Sequence, residues 1–190
     1  MNKLVLQNSP KSLMVVDEAT QALIPITQEA FLKEWAVPQA MAKYRSCTTA
    51  LACLESKAPT IADIRNSFGH DYIQAYVEMW IVNLRMFFNV GKAMTDEQTY
   101  MTAELIVDSF YNLNIADINL VFKNAKLGKY GKIYDRLDGN IILEWFQRYF
   151  DERCDAAAER SIREAHSYRV NSGESRERLN RIIESSLKKK

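Results

Sequence analysis

The chain has 190 residues, of which 47% are hydrophobic and 26% are charged, and its formal net charge is +1. This length supports one domain with a substantial core, and the composition is that of an ordinary soluble globular protein. Only six glycines and four prolines are present, which argues against a chain of many short strands and favours helices.

The cysteine and hydropathy patterns exclude several classes of protein. The cysteines are Cys47, Cys53 and Cys154, an odd number with no C-x-x-C pair, so neither a disulfide framework nor a zinc site is indicated. No pattern of a signal peptide is present, and no run of about 18 apolar residues suggests a membrane span. We therefore expect a cytoplasmic protein with no membrane partner.

The first 26 residues consist of short apolar runs separated by polar breaks. They predict an extended arm with at most two strands, which could pair as a short hairpin. Thr27 is the expected N-cap of the first helix, which ends before Pro38. Pro38 fits the first turn of a second helix, which is expected to continue until Pro59.

Two helices are predicted between Thr60 and Val90. Thr60 caps a brief helix that ends at Phe68, and His70 begins the strongest helical pattern in the chain. The apolar band of this second helix is wider than one amphipathic stripe requires, which is typical of a helix at the centre of a bundle.

Three further helices are predicted in the second half of the chain, each beginning at a capping residue: Thr95, Asn114 and Asp138. The helix after Thr95 is expected to bury Met101, Leu105, Ile106 and Phe110, or near neighbours. The last helix becomes polar beyond about residue 154, and a break is expected at residues 171–173.

The pattern as a whole predicts an all-α bundle of about six to seven helices with an extended N-terminal arm and a projecting, polar C-terminal helix. The expected organisation is an arm over residues 1–26, a helical core over 27–154 and a polar helical extension over 155–190.

Charge is unevenly distributed along the chain. Residues 1–122 contain nine Lys and Arg against 13 Asp and Glu, a net charge of −4. Residues 123–190 contain 16 against 11, a net charge of +5. Such a division indicates either an anionic partner or solvated helix faces.

The basic part begins with a glycine-containing element between two predicted helices, and we predict that this element binds nucleic acid. Its glycines allow a tight backbone path, lysines can contact phosphate oxygens, and tyrosines can stack on exposed bases. The predicted contact residues are Lys123, Lys126, Lys129, Tyr130, Lys132, Tyr134 and Arg136. The alternative is a plain helix–helix connection with its tyrosines packed inward and its lysines solvated.

No catalytic constellation and no cofactor motif can be named. The G-x-x-G sequence at Gly128–Gly131 lacks the surrounding sheet of a KH domain and does not match a phosphate-binding P-loop. Glu78, Glu104, Asp108 and Asp117 could converge on a metal in a bundle, but no Glu-x-x-His unit supports a di-iron site. We expect no cofactor, and an enzyme is the less favoured interpretation.

Several segments carry a resemblance to known families. Leu113–Phe122, Gly128–Gly131, Tyr134–Asp138 and Trp145–Arg153 together resemble an uncharacterised family of small helical proteins from phage and mobile elements of anaerobic gut bacteria. The resemblance covers roughly residues 95–155. Separately, Ala58–Ile64 is similar to the closing motif of phage replicative-helicase loader and inhibitor proteins.

These resemblances and the charge division lead to two functional hypotheses. The first is a non-enzymatic accessory protein of a phage or mobile element that binds nucleic acid or a replication protein through the basic element. The alternative is a protein–protein interaction adaptor or assembly factor that uses the helices of residues 151–190.

Overall fold

The computed structural model describes residues 13–16, 20, 22–88, 90–133 and 136–187, with side chains up to residue 168 except residue 167. Within these residues the fold is mostly helical and contains one small hairpin, so the predicted fold class is confirmed. The helices are α1 (Gln28–Trp35), α2 (Val37–Lys43), α3 (Ala50–Glu55), α4 (Ile61–Phe68), α5 (His70–Phe87), α6 (Asp96–Ser109), α7 (Ile115–Lys126) and α8 (Gly139–Leu187).

The predicted arm contains an antiparallel hairpin of strands β1 (Met14–Val16) and β2 (Leu23–Pro25), in which Val15 lies opposite Ile24. Leu13 attaches the hairpin to the helices, because its side chain is buried and its backbone N–H donates to Ser67 Oγ of α4 at 2.7 Å.

The predicted helix between Pro38 and Pro59 is in fact two helices, and the prediction of one continuous helix is wrong. The helical bonding of α2 stops at Tyr44, and Thr49 begins α3 by accepting a hydrogen bond from Ala52 N–H at 3.2 Å. Threonine favours such capping positions, and its hydroxyl here replaces a backbone acceptor. The helical spacing of apolar residues continues through the break between α2 and α3. In the sequence, only the capping residue Thr49 indicates that break.

Three further predictions about helices need correction. Helix α5 ends at Phe87, before the predicted Val90. Met101 and Leu105 of α6 are about half exposed, at 52% and 49%. The predicted burial of Ile106 and Phe110 is confirmed, and the other α6 residues that pack inward are Thr99, Thr102, Ala103 and Val107. Residues 171–173 lie inside α8, so the expected break is absent from the backbone.

Helix α7, and not the more apolar α5, is the most deeply enclosed helix. Ten of its 12 residues are buried, and the two that are not are Lys123 and Lys126. The Phe122 ring stacks on Trp80 of α5 at a centroid distance of 5.9 Å and meets Phe146 of α8 edge-on at 5.6 Å. The only residues of α7 that reach the protein surface are therefore Lys123 and Lys126, two of the predicted nucleic-acid contacts.

The N-termini of α4 and α7 pair with each other. Both begin with a capping box, formed by Thr60 with Asp63 and by Asn114 with Asp117. The loops in front of the two helices also exchange backbone bonds, since Ile61 N–H donates to Leu113 O at 2.8 Å. This reciprocal arrangement satisfies donors that a helix terminus otherwise leaves open.

A buried ionic network centred on Asp117 joins α7 to α8. The Asp117 side chain is fully buried and accepts hydrogen bonds from the Tyr149 hydroxyl at 2.6 Å, Arg153 Nε at 2.9 Å and Asn114 N–H at 2.9 Å. Burial raises the pKa of Asp117, while the Arg153 charge and these hydrogen bonds act to lower it. The Asn114 amide extends the network to α3 by donating to Cys53 O at 2.9 Å.

The chain divides into two compact units, Met1–Arg153 and Cys154–Lys190, and α8 contributes residues to both. In the second unit, Arg160 Nε donates to Glu164 Oε1 at 2.7 Å along the helix surface. None of the helices in the described ranges combines the length and apolarity needed to cross a membrane.

We expect Arg153→Met to lower the free energy of unfolding by about 3–5 kcal/mol at neutral pH, because it leaves the buried Asp117 charge without its cation. The raised native pKa of Asp117 means that its stabilising contribution falls as pH rises from the unfolded value of about 3.9 through the native value. Without Arg153 the native pKa rises further. The cost of the substitution should therefore grow as the pH of urea titrations rises above about 4, the unfolded-state pKa of the Asp117 carboxyl.

The matched control is Arg148→Met, which removes a 60% exposed arginine of the same helix that lies 3.8 Å from Glu152. An exposed pair of this kind contributes less than about 1 kcal/mol. Equal losses in the two variants, or a cost of Arg153→Met that does not change with pH, would contradict the structural role of the network.

Candidate functional site

The basic element begins where α7 ends, and two glycines fix its path. Gly128 N–H donates to Ala125 O at 2.9 Å and Lys129 N–H donates to Asn124 O at 3.0 Å, which is the bonding of a Schellman motif. Gly128 has φ +72° and Gly131 has φ +109°, conformations that glycine adopts at little cost. The predicted tight backbone path is therefore present in the structure.

Lys123 and Lys126 lie beside a pocket of about 390 Å³ between α2, α5 and α7, which we call the cationic pocket. Lys123 Nζ donates to Arg45 O at 3.0 Å, and Lys126 Nζ donates to Asn83 Oδ1 at 2.6 Å. Partial burial lowers the pKa of Lys126. The pocket is lined by Met41, Ala42, Arg45, Trp80, Asn119, Phe122, Lys123, Lys126 and Leu127.

Lys129 and Tyr130 line a second, more polar pocket of about 450 Å³, which we call the polar pocket. The Tyr130 ring is stacked on Trp145 at 5.7 Å, and the Arg148 guanidinium lies 5.6 Å from its centroid. Burial raises the pKa of Tyr130 to about 12. The remaining lining residues are Thr48, Thr49, Ala50, Leu120, Asn124, Arg148, Tyr149 and Glu152.

Lys132 and Arg136 border a third pocket of about 300 Å³ on the far side of Tyr130. Lys132 is exposed, whereas Arg136 Nε is paired with Asp138 Oδ2 at 3.2 Å. The backbone near Arg136 is held in place because Leu137 N–H donates to Lys92 O at 3.2 Å. Tyr134, the seventh predicted contact residue, lies outside the described residues.

The structure therefore divides the described predicted residues between two surfaces. Lys123 and Lys126 belong to the cationic pocket, while Lys129, Lys132 and Arg136 surround Tyr130. Because Tyr130 already stacks on Trp145, its ring acts in this structure as the support of the element. The predicted base stacking by Tyr130 would compete with that contact and stays a prediction.

Two cations of the site were missed from the sequence. Arg45 lies in the break between α2 and α3, a segment that the spacing predicted to be helical. Arg148 lies on α8, and no motif in the neighbouring sequence marks it as a site residue. Only the fold brings it to Tyr130. A reading of Thr49 as an N-cap would have indicated the loop that carries Arg45.

The buried network offers little for catalysis. Burial raises the pKa of the Cys53 thiol to about 12, and its Sγ contacts Ala116 O at 3.4 Å, so the thiol is held in its unreactive form. Among the described residues, no group of three His, Cys, Asp or Glu side chains is placed to hold a metal ion. Glu104 and Asp108 are exposed on α6, whereas Asp117 is enclosed on α7.

A separate surface is formed by exposed apolar side chains on α5 and α6. Met79, Val82 and Met86 share one exposed face of α5, and Met101 and Leu105 are exposed on α6. We call these five residues the α5–α6 apolar face. Helix α6 contains four carboxylates and no lysine or arginine, so the surroundings of this face are acidic.

Comparison of the chain with protein-family models, with curated proteins and with solved structures found no match. The chemistry of its surfaces is therefore the basis for a functional assignment.

Proposed function

We propose that the protein is a non-enzymatic accessory protein of a phage or mobile element that binds nucleic acid through the cations of α7 and the loop after it. One observation carries the proposal. Five cations that line the cationic pocket, the polar pocket or the third pocket have no carboxylate partner within the described part of the chain: Arg45, Lys123, Lys126, Lys129 and Lys132.

Lone cations of this kind are suited to an anionic polymer. Several cations elsewhere in the fold are paired with carboxylates, as Lys43 is with Glu34, Arg85 with Asp96 and Arg153 with Asp117, whereas Lys33 and Lys57, which are unpaired among the described residues, line none of the three pockets. Phosphate groups would supply the missing counter-charge and release condensed ions, which makes affinity depend on salt.

The form of the surface favours contact with the phosphate backbone over reading of bases. Lys129 and Lys132 are exposed on a loop whose path is fixed by the Schellman motif and by Gly131. The aromatic rings nearby, Tyr130 and Trp145, are stacked on each other. Contacts to phosphate position a protein on nucleic acid and carry no sequence information by themselves.

Fluorescence anisotropy with labelled single- and double-stranded oligonucleotides tests the proposal. Engagement of all five cations predicts a slope of log affinity against log salt of about −3.5 for a single strand. The double variant Lys129→Glu/Lys132→Glu should weaken binding by about tenfold or more and make the slope shallower by about 1.4, because two phosphate contacts are lost.

The matched control is Lys33→Glu/Lys57→Glu, which changes the net charge equally at two exposed lysines that line none of the three pockets. It should retain the wild-type slope. Equal losses in both double variants would mean that only net charge matters, and no binding at low salt would overturn the proposal.

A second function, capture of a protein partner, is favoured by a different observation. The α5–α6 apolar face consists of exposed Met79, Val82, Met86, Met101 and Leu105, on two helices in contact that also carry the carboxylates Glu78, Glu97 and Glu104. Methionine-rich surfaces of this kind can accommodate a helix, and the acidic border favours a basic amphipathic one. The alternative predicted from the sequence used residues 151–190, whose side chains beyond Tyr168 lie outside the described residues, so it stays a prediction.

A synthetic amphipathic helix built of Leu and Lys should bind the protein, and Met86→Ser/Leu105→Ser should weaken it several-fold in a fluorescence titration. The control Leu23→Ser/Ile162→Ser removes two other exposed apolar side chains and should leave affinity unchanged. Equal binding of a peptide built of Leu and Glu would contradict the charge complementarity on which this second function depends.

A further inference from the structure

We propose that the cationic pocket binds a small amphiphilic anion, with one carboxylate or phosphate head on an aliphatic body. The site shares Arg45, Lys123 and Lys126 with the proposed nucleic-acid contact and goes beyond that contact in the class of ligand it would take. The assignment does not rest on the proposed function, because it is argued from the lining of the pocket alone, and the exposed loop lysines Lys129 and Lys132 lie outside it.

The rim of the pocket supplies the positive charge. Arg45, Lys123 and Lys126 all line it, and no carboxylate does. The two ammonium groups have only neutral acceptors, the carbonyl oxygen of Arg45 and the amide oxygen of Asn83. An ammonium carries three donors, so each of the two can donate to an anionic oxygen without giving up its present partner.

The floor of the pocket is apolar. Trp80 and Phe122 form it and are each 1% exposed, while Met41 and Leu127 stand at the mouth and are 37% and 65% exposed.

The residues that line the pocket also favour an aliphatic ligand over a nucleotide. Its remaining side-chain amide, Asn119, already donates to Tyr44 O at 3.4 Å, and Trp80 and Phe122 are stacked on each other. Few polar groups therefore remain to read the edge of a base. A volume of about 390 Å³ lies within the usual range of small-molecule sites and is large enough for a medium-length acyl chain with its head group.

Isothermal titration calorimetry of the full-length protein with decanoate tests this assignment. Three comparison ligands separate the contribution of the anionic head from that of the aliphatic chain. Decanol supplies the chain without the charge, inorganic phosphate supplies a charge without the chain, and dAMP supplies a phosphate on an aromatic base. Decanoate should bind more tightly than all three. Absence of decanoate binding, or phosphate alone binding as tightly, would overturn the proposal; tighter binding of dAMP would overturn the aliphatic assignment.

Two substitutions of the same kind locate the site. Lys126→Met keeps the length of the side chain but removes the charge at the pocket, and it should weaken decanoate binding by about tenfold or more. Lys132→Met makes the same change outside the pocket and should leave it unchanged. Arg45→Met provides a second test at the rim, because Arg45 is exposed and its replacement does not disturb a buried contact.

Equal affinity of the Lys126→Met and Lys132→Met proteins would overturn the location, provided thermal melts show that both remain folded. The titrations contain no nucleic acid polymer, so their failure leaves the proposed function standing. Conversely, the Lys129→Glu/Lys132→Glu protein should bind decanoate as tightly as the wild type even where it no longer binds the oligonucleotide.

Discussion

The buried Asp117 carboxylate is the interaction on which the arrangement of α7 and α8 depends. It accepts hydrogen bonds from the N-terminus of α7, which it caps, and from Tyr149 and Arg153 of α8, so one side chain joins two elements of the core. An ion pair without access to water stabilises a fold only when its hydrogen bonds are complete. Here each hydrogen bond to Asp117 comes from a residue at one particular position in the chain. The network therefore fixes the register of α8 against α7.

The register of α8 against α7 in turn determines where the cations of the basic surface lie. Helix α7 is enclosed on all sides except at Lys123 and Lys126, and its end is held by the Schellman bonds that place Lys129. Helix α8 brings Trp145 and Arg148 to Tyr130, which supports the following loop. The basic surface is therefore built on rigid elements, and each of its cations is presented at little cost in conformational entropy.

The sequence predicted the fold class and most helix starts because capping residues carry local chemistry, as at Thr60, Thr95 and Asn114. It failed where a tertiary contact decided the outcome. The exposure of Met101 and Leu105 depends on which face of α6 meets α5, and the split of the candidate site into two surfaces depends on how α7 is enclosed. Arg148 could not be foreseen, since it has no local motif, whereas the N-cap at Thr49 was the one local signal for the loop that carries Arg45.

The most direct measurement is amine labelling of the wild-type protein with and without a single-stranded oligonucleotide, followed by mass spectrometry of each lysine. Our account predicts that bound oligonucleotide protects Lys123, Lys129 and Lys132 and leaves Lys33 and Lys57 reactive. Protection spread evenly over the exposed lysines, or confined to Lys33 and Lys57, would contradict the assignment of the nucleic-acid contact to α7 and its loop.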